Sequence, residues 1–191
     1  MHKVPSLFIP GSKGQEIEPD QAWILDGTAT ATVQYDGLCY AIMKGIPYVH
    51  TVSRALTSDF IVCGSHDNQW WGWTPVQADD LLFWHTWYAY DRELMDWSYE
   101  FVGPEIYGIG PPDKDGNPTR IPNPEHSPNH VFIPHGRLII ECLQYPTLKT
   151  IRTYIESRPI EGVVWWEDVN DPQCRKVKVQ HTDFNRPRRA K

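Results

Sequence analysis

The sequence predicts a sheet-dominated α+β fold, and three observations lead to that prediction. Short runs of apolar and β-branched residues recur along the chain, and Gly, Asp or Asn residues separate them as turn signals. Residues 147–157 instead carry Leu148, Ile151, Tyr154 and Ile155 at the spacing of one helix face. The chain contains no internal repeat and no low-complexity tract. Strands and occasional helices therefore have to share one globular core.

The first half of the chain predicts strands joined by tight turns. Asp36-Gly37 and Lys44-Gly45 are turn signals between apolar runs. Apolar spacing over 78–90 predicts a helix, and the Trp-rich segment 58–75 is expected to be a loop. The predicted strands of this half are residues 28–33, 38–43 and 48–52, and residues 4–9 are expected to form a short strand or an extended arm.

The second half predicts more strands and the clearest helix, at 147–157. Residues 108–128 are rich in Pro, Gly, Asn and Asp, so a long surface loop is expected there. The predicted strands are residues 98–102, 130–133, 138–143, 162–166 and 175–179.

Composition limits the class of protein. The 191 residues predict one domain over 1–185, followed by a basic tail at 186–191. A hydrophobic content of 40% is ordinary for a globular protein, and no apolar run approaches the roughly 18–20 residues that span a bilayer. A cytoplasmic monomer without a membrane partner is therefore expected, and the sequence identifies no protein partner. The net charge of −6 argues against broad coating of nucleic acid. Cys-x-x-Cys pairs are absent, so no zinc site is predicted.

Four segments carry candidate chemistry, and each of them alone is weak. Residues 33–37 read Val-Gln-Tyr-Asp-Gly, and residues 99–104 read Tyr-Glu-Phe-Val-Gly-Pro. Residues 161–165 read Glu-Gly-Val-Val-Trp, and residues 176–178 read Lys-Val-Lys. A strand places alternate side chains on one face, so both lysines of the last segment are expected to point the same way.

Taken in this order, the four segments resemble the motifs of the covalent nucleotidyltransferases. The sequence around these segments resembles a family of small, single-domain ATP-dependent RNA ligases. The resemblance covers about residues 4–184. It implies the nucleotidyltransferase fold, with antiparallel sheets and flanking helices around an ATP cleft. It also implies joining of 5′-phosphate and 3′-hydroxyl RNA ends through enzyme-AMP and RNA-adenylate intermediates. ATP would donate AMP, RNA ends would be the partners, and Mg²⁺ or Mn²⁺ would assist.

The resemblance also implies residue roles. Gln34 stands at the position of the AMP-accepting lysine, and Lys176 and Lys178 would be catalytic cations at the α-phosphate. Glu161 would hold the metal ion, and Glu100 would accept hydrogen bonds from the ribose hydroxyls. The implied nucleotide-binding residues are Val33, Asp36, Gly37, Arg54, Glu100, Phe132, Glu161, Lys176 and Lys178.

Some of these roles are specified further. Asp36 would organise its turn and support the metal, while Phe132 would stack on adenine. Either His50 or Arg54 would contact the sugar or phosphates. The alternatives without a role in nucleotide binding are a core position for Phe132, a surface charge for Glu100 and a solvated strand face for the lysines.

Gln34 has two explanations that the sequence leaves open. It is either an engineered replacement of the lysine or the natural residue of a pseudo-ligase that binds nucleotide or RNA ends. A glutamine amide is not nucleophilic, so the chain is expected to bind ATP without forming lysyl-AMP. It would still seal RNA that already carries AMP. Lys44 is not expected to substitute for the lysine, and a capping-type guanylyltransferase is a third, more distant reading.

Overall fold

The fold is α+β and is built on antiparallel sheets, which confirms the predicted class. The computed structural model describes residues 4–90, 94–103, 106–112, 118–122, 129–158 and 160–185. The predicted basic tail at 186–191 and Pro104 of the Tyr-Glu segment lie outside the described residues.

Among the described residues, none of the helices has the length and apolar character needed to cross a membrane. The helices are α1 (Leu81–Ala89), α2 (Leu148–Glu156) and α3 (His181–Asn185), with 3₁₀ helices at Pro19–Asp26 and Glu141–Leu143. The strands are β1 (Thr30–Gln34), β2 (Leu38–Met43), β3 (Ile46–Ser53), β4 (Ile61–His66), β5 (Gln69–Pro75), β6 (Ser98–Val102), β7 (Tyr107–Pro112), β8 (Pro118–Pro122), β9 (Val131–Pro134), β10 (Gly162–Trp166) and β11 (Lys176–Gln180).

The described chain divides into two compact units. The six-stranded unit holds residues 36–135, and the three-stranded unit holds residues 4–35 together with 136–185. Each unit has its own apolar cluster of buried side chains. The single domain predicted over residues 1–185 stays a prediction.

The six-stranded unit is an antiparallel sheet in the order β4-β5-β3-β2-β6-β9. Phe83 of α1 is 1% exposed and packs with the rings of Tyr40 and Phe132 on one sheet face. The β2–β3 turn places Lys44 and Gly45 at positive φ, and the Asp96 carboxylate accepts both of their backbone N–H groups. Positive φ at both central residues is the geometry that two-residue hairpins favour.

Two loop predictions were wrong in this unit. Residues 58–75 contain the β4–β5 hairpin, whose turn residues Asp67 and Asn68 have φ of 51° and 58°. Asp and Asn tolerate this left-handed conformation, so the pair was a turn signal hidden among tryptophans. Residues 108–128, expected as one long loop, include most of the β7–β8 pair.

The three-stranded unit contains an antiparallel sheet in the order β1-β10-β11. Its two outer edges are covered, because Ser6 bridges Lys178 of β11 and Ile139 bridges Thr32 of β1. Helix α2 contributes Ile151 and Ile155, both 0% exposed, to the cluster that contains the buried side chains of β10 and β11. A Thr147–Thr150 capping box starts this helix.

Asp80 connects the start of α1 to the sheet of the six-stranded unit. Its Oδ1 accepts the Phe83 N–H at 3.1 Å, and its Oδ2 accepts the Tyr40 hydroxyl at 3.1 Å. Burial, and then the Asp80 carboxylate, raise the pKa of Tyr40 well above its usual value, so the hydroxyl remains a donor.

Replacing Asp80 with alanine is expected to lower the free energy of unfolding by about 2 kcal/mol, because a helix cap and a charge-assisted hydrogen bond are lost together. Denaturant unfolding measures the change. The matched control is Asp79→Ala at the exposed neighbouring position, which should change the midpoint little. Equal midpoints for the two variants would contradict this role of Asp80.

Candidate functional site

One face of the three-stranded sheet brings together residues from three distant segments. Gln34 pairs with Gly162, which pairs with Gln180, while Val164 pairs with Lys178 and Trp166 with Lys176. Directly paired residues of an antiparallel sheet point to the same side, and alternate residues of a strand share a face. We call the set Gln34, Lys176, Lys178 and Gln180 the Gln34 face. Val177 and Val179, which alternate with the lysines, are 0% exposed on the opposite side.

Glu161 lies at the end of the Gln34 face and accepts hydrogen bonds from two amides. The Gln34 Nε2 donates to its Oε2 at 2.7 Å, and the Gln180 Nε2 donates to its Oε1. The backbone is fixed as well, because the Glu161 N–H donates to the Gln34 carbonyl at 3.0 Å and its own carbonyl accepts the His181 N–H at 3.1 Å. The carboxylate is therefore held in one position beside residue 34.

The amide of Gln34 is only half satisfied. Its Oε1 is buried and has no hydrogen-bond partner. Rotating the amide would bring this oxygen against the Glu161 carboxylate, so the observed orientation is the better of the two. A buried acceptor left unpaired costs about 1–3 kcal/mol. The position thus favours a side chain that only donates, or a ligand that donates to Oε1.

The two lysines of the Gln34 face are held differently. The Lys176 ammonium donates to the Pro172 carbonyl at 2.6 Å, lies 3.5 Å from the Cys174 carbonyl and sits 4.7 Å from the centre of the Trp166 ring. Burial lowers the pKa of Lys176 below its usual value. Lys178 lies one row closer to Gln34, and its backbone is fixed by hydrogen bonds to Pro5 and Leu7. Lys178 is therefore the better-placed cation for a group bound beside residue 34.

Gly162 is required by the close packing of this sheet. A Cβ at this position would overlap the Val179 carbonyl oxygen and press against the Gln180 backbone. A side chain would push β10 away from β11 and separate Glu161 from Gln180. Steric packing therefore explains why the second residue of the Glu-Gly motif is glycine.

The six-stranded unit contains a second polar group, which we call the Glu100 cluster: Cys39, Ser98, Glu100 and His135. Glu100 is 7% exposed, and its Oε1 accepts the Gly37 N–H at 3.0 Å. Its Oε2 lies 2.8 Å from His135 Nε2, and His135 Nδ1 lies 2.9 Å from the Ser98 hydroxyl. The carboxylate is thus fixed on both of its oxygens.

His135 itself is anchored by its backbone. Its N–H donates to the Ser98 carbonyl at 3.0 Å, and its carbonyl accepts the Trp97 indole N–H at 2.8 Å. The Ser98-His135-Glu100 order resembles a hydrolytic triad. Ser98 is 2% exposed, however, so its hydroxyl is closed to a substrate. The three residues form a positioning network for Glu100 rather than a nucleophilic site.

The other predicted nucleotide-binding residues have varied settings. The ring of Phe132 is 3% exposed and packs 4.8 Å from that of Phe101, so it has no open face for a base and is a core residue. Arg54 is exposed just after β3. His50 lies on β3, with its ring 5.1 Å from the Trp73 ring. Val33 packs against the core of its unit. Asp36 forms, with Gly37, the bend before β2.

The division into units separates the predicted residues into two sets. Gln34, Glu161 and the two lysines belong to the three-stranded unit, whereas Asp36, Arg54, Glu100 and Phe132 belong to the six-stranded unit.

Sequence reasoning missed Gln180, Cys39, Ser98 and His135. Gln180 continues the two-residue period of Lys176 and Lys178, so the alternation could have revealed it. Ser98 and His135 contact Glu100 only because β6 and β9 pair, and the local sequence carries no signal for that pairing.

Two comparisons with known proteins found no match. The chain matches none of the protein-family models against which it was scanned, and a search of curated proteins found no similar sequence.

Proposed function

We propose that this chain is an RNA ligase that joins a 3′-hydroxyl to an RNA end already carrying AMP and does not adenylylate itself. One observation carries the proposal: Gln34, Lys178 and the Glu161 carboxylate, which three separate motifs supply, meet at one sheet face. The nucleotidyltransferase fold is part of the same proposal. It rests on the order of the motifs and on the antiparallel sheets.

The chemistry of the sealing step suits these groups. The 3′-oxygen attacks the 5′-phosphorus of the adenylylated RNA and forms the new P–O bond. The anhydride P–O bond to AMP breaks, AMP leaves with the electron pair, and the hydroxyl proton passes to solvent. No step requires a nucleophile from the protein. Positioned cations favour such a phosphoryl transfer because negative charge builds up in the transition state.

Of the two lysines of the Gln34 face, Lys178 would supply the cation closer to residue 34, and Lys176 would contribute charge from further along the strand. The resemblance implies that Glu100 accepts the ribose hydroxyls, and within the six-stranded unit the contacts of His135 and the Gly37 N–H keep its carboxylate in place. Fixing the acceptor before the substrate arrives lowers the entropic cost of positioning.

Magnesium fits the oxygen atoms beside residue 34. The Glu161 carboxylate oxygens accept the Gln34 and Gln180 amides, and the buried Gln34 Oε1 has no partner. Hard oxygen donors that bind through water match the preference of Mg²⁺. Glu161 and Gln34 would hold the hydrated ion, whose charge would help neutralise the phosphates.

A sealing assay tests the proposal. One RNA strand carries a 5′-adenylylated end, a second carries an ordinary 5′-phosphate, and both are offered a 3′-hydroxyl acceptor with magnesium. Joining is expected for the adenylylated strand alone, even when ATP is supplied to the other. Glu161→Gln keeps the shape of the side chain and should reduce joining. Absence of joining on both strands, in nicked duplex and in single-stranded form, would contradict the proposal.

A binding protein without ligase activity is the second candidate. The observation that favours it is the amide pair on Glu161, which leaves no nucleophile where the family's lysine would stand. Such a protein would bind nucleotide or RNA ends but join neither strand in the assay. A preference for GTP over ATP in equilibrium binding would instead favour the guanylyltransferase reading.

A further inference from the structure

The Glu100 cluster has the ligand chemistry of a transition-metal site. Cys39 Sγ, a Glu100 carboxylate oxygen and a His135 ring nitrogen all lie within 4.8 Å of one another. We propose that Cys39, Glu100 and His135 bind one thiophilic divalent cation, of which Zn²⁺ is the type, with water in the fourth position. This goes beyond the proposed function and does not rest on it.

The strands hold these ligands in place without a metal. Cys39 and Glu100 are direct partners in the β2–β6 ladder, so their side chains point to the same sheet face. His135 follows β9, which pairs with β6 on its other side. Ligands from two paired strands and from the residue that follows a third need little ordering when a metal enters, and this favours binding.

The distances allow a tetrahedral site after a small adjustment. Bonds of about 2.0–2.3 Å to nitrogen, oxygen and sulfur place tetrahedral ligands roughly 3.3–3.6 Å apart. The closest pair here is His135 Nε2 and Glu100 Oε2 at 2.8 Å, and the longest separation is within 4.8 Å. The metal would take the place of the hydrogen bond between them, so the pair need open only by about half an ångström.

Hydrogen bonds from neighbouring groups orient the proposed ligands. His135 Nδ1 lies 2.9 Å from the Ser98 hydroxyl, which fixes the ring and directs Nε2 towards Glu100. The Gly37 N–H occupies Glu100 Oε1 and leaves Oε2 for the metal. A thiolate beside imidazole and carboxylate selects zinc or cobalt over magnesium, which prefers oxygen alone.

Titration of the metal-free 191-residue chain with Co²⁺ and Zn²⁺ tests the site without nucleotide or RNA. One equivalent of Co²⁺ is expected to produce a thiolate-to-cobalt charge-transfer band, which one equivalent of Zn²⁺ abolishes. Cys39→Ser should remove the band and weaken Zn²⁺ binding at least about tenfold. His135→Gln should also weaken it. Cys142→Ser, at an exposed thiol, is the matched control and should leave both unchanged.

Alkylation of the unmodified chain keeps the test decisive if Cys39→Ser does not fold. Zn²⁺ is expected to slow alkylation of Cys39 while leaving that of Cys142 unchanged. No charge-transfer band, a band that persists in Cys39→Ser, or equal alkylation of Cys39 with and without Zn²⁺ would overturn the proposal. These measurements use neither nucleotide nor RNA, so a failure of the metal site and a failure of RNA sealing are distinguished.

Discussion

Replacing Gln34 with lysine is expected to give a protein that retains one labelled AMP covalently after incubation with ATP and magnesium, whereas the Gln34 chain retains none. A lysine side chain at this position reaches the Glu161 carboxylate that the Gln34 amide now contacts at 2.7 Å. It also removes the unpaired Oε1 from a buried site. The Glu161 carboxylate favours the protonated lysine, whereas the neighbouring Lys176 and Lys178 favour the neutral amine, which is the form that attacks phosphorus. Retention of label on a denaturing gel measures the product.

Gln34→Arg is the matched control for this substitution. It introduces the same charge beside Glu161, but a guanidinium stays protonated and does not act as a nucleophile. This variant should bind ATP and retain no label. Unlabelled Gln34→Lys protein that nonetheless binds ATP would contradict the assignment of position 34.

Replacing Lys178 with alanine is expected to lower the rate of sealing of pre-adenylylated RNA about 10²- to 10³-fold. Removing one fixed donor from a developing negative charge costs about 3–4 kcal/mol of transition-state stabilisation. Lys178 is the closer of the two lysines to residue 34 in the strand register, and the Lys176 ammonium already donates to the Pro172 carbonyl. Single-turnover rates at saturating RNA separate this effect from weaker binding.

Lys149→Ala controls for the loss of one positive charge. Lys149 is exposed on α2 in the same unit, so its replacement should change sealing little. Lys178→Arg keeps the charge and should recover part of the rate. Equal rates for the Lys178 and Lys149 alanine variants would show that Lys178 does not act on the reacting phosphate.

Much of the fold could be predicted because local signals agree with tertiary packing. Strands β2, β6 and β10 have the predicted bounds, since each is a run of apolar or β-branched residues that ends at a turn signal. The helix predicted at 147–157 was found as α2, because its apolar spacing matches a face that is buried against the sheet.

The elements that were missed depend on information outside their own segments. The β4–β5 hairpin carries tryptophans on both faces, so the two-residue alternation of a half-buried strand is hidden. Residues 138–143, predicted as strand-led, contain only a bridge at Ile139 before a 3₁₀ helix. Their conformation follows from contact with β1, which the local sequence does not encode.

At the candidate site, too, local sequence signals differ from contacts between distant segments. The motif resemblance predicted Gln34, Glu161 and Lys178 as site residues, but the shared face is a consequence of the register between β1, β10 and β11. Two side-chain contacts also depend on the pairing of distant segments. The Gln180 amide donates to Glu161, and the His135 imidazole hydrogen-bonds with Glu100. The predicted stacking role of Phe132 failed for the opposite reason, because the aromatic cluster around it buries the ring.

The position of AMP on the Gln34→Lys protein tests most directly whether residue 34 is the nucleotidyl acceptor site. After incubation with ATP and magnesium, the protein is digested and its peptides are mapped by mass spectrometry. We expect AMP on residue 34 alone, and its loss when Lys178→Ala is added. Absence of AMP, or AMP attached to Lys176, Lys178 or an exposed lysine such as Lys149 instead, would contradict the assignment of the Gln34 face.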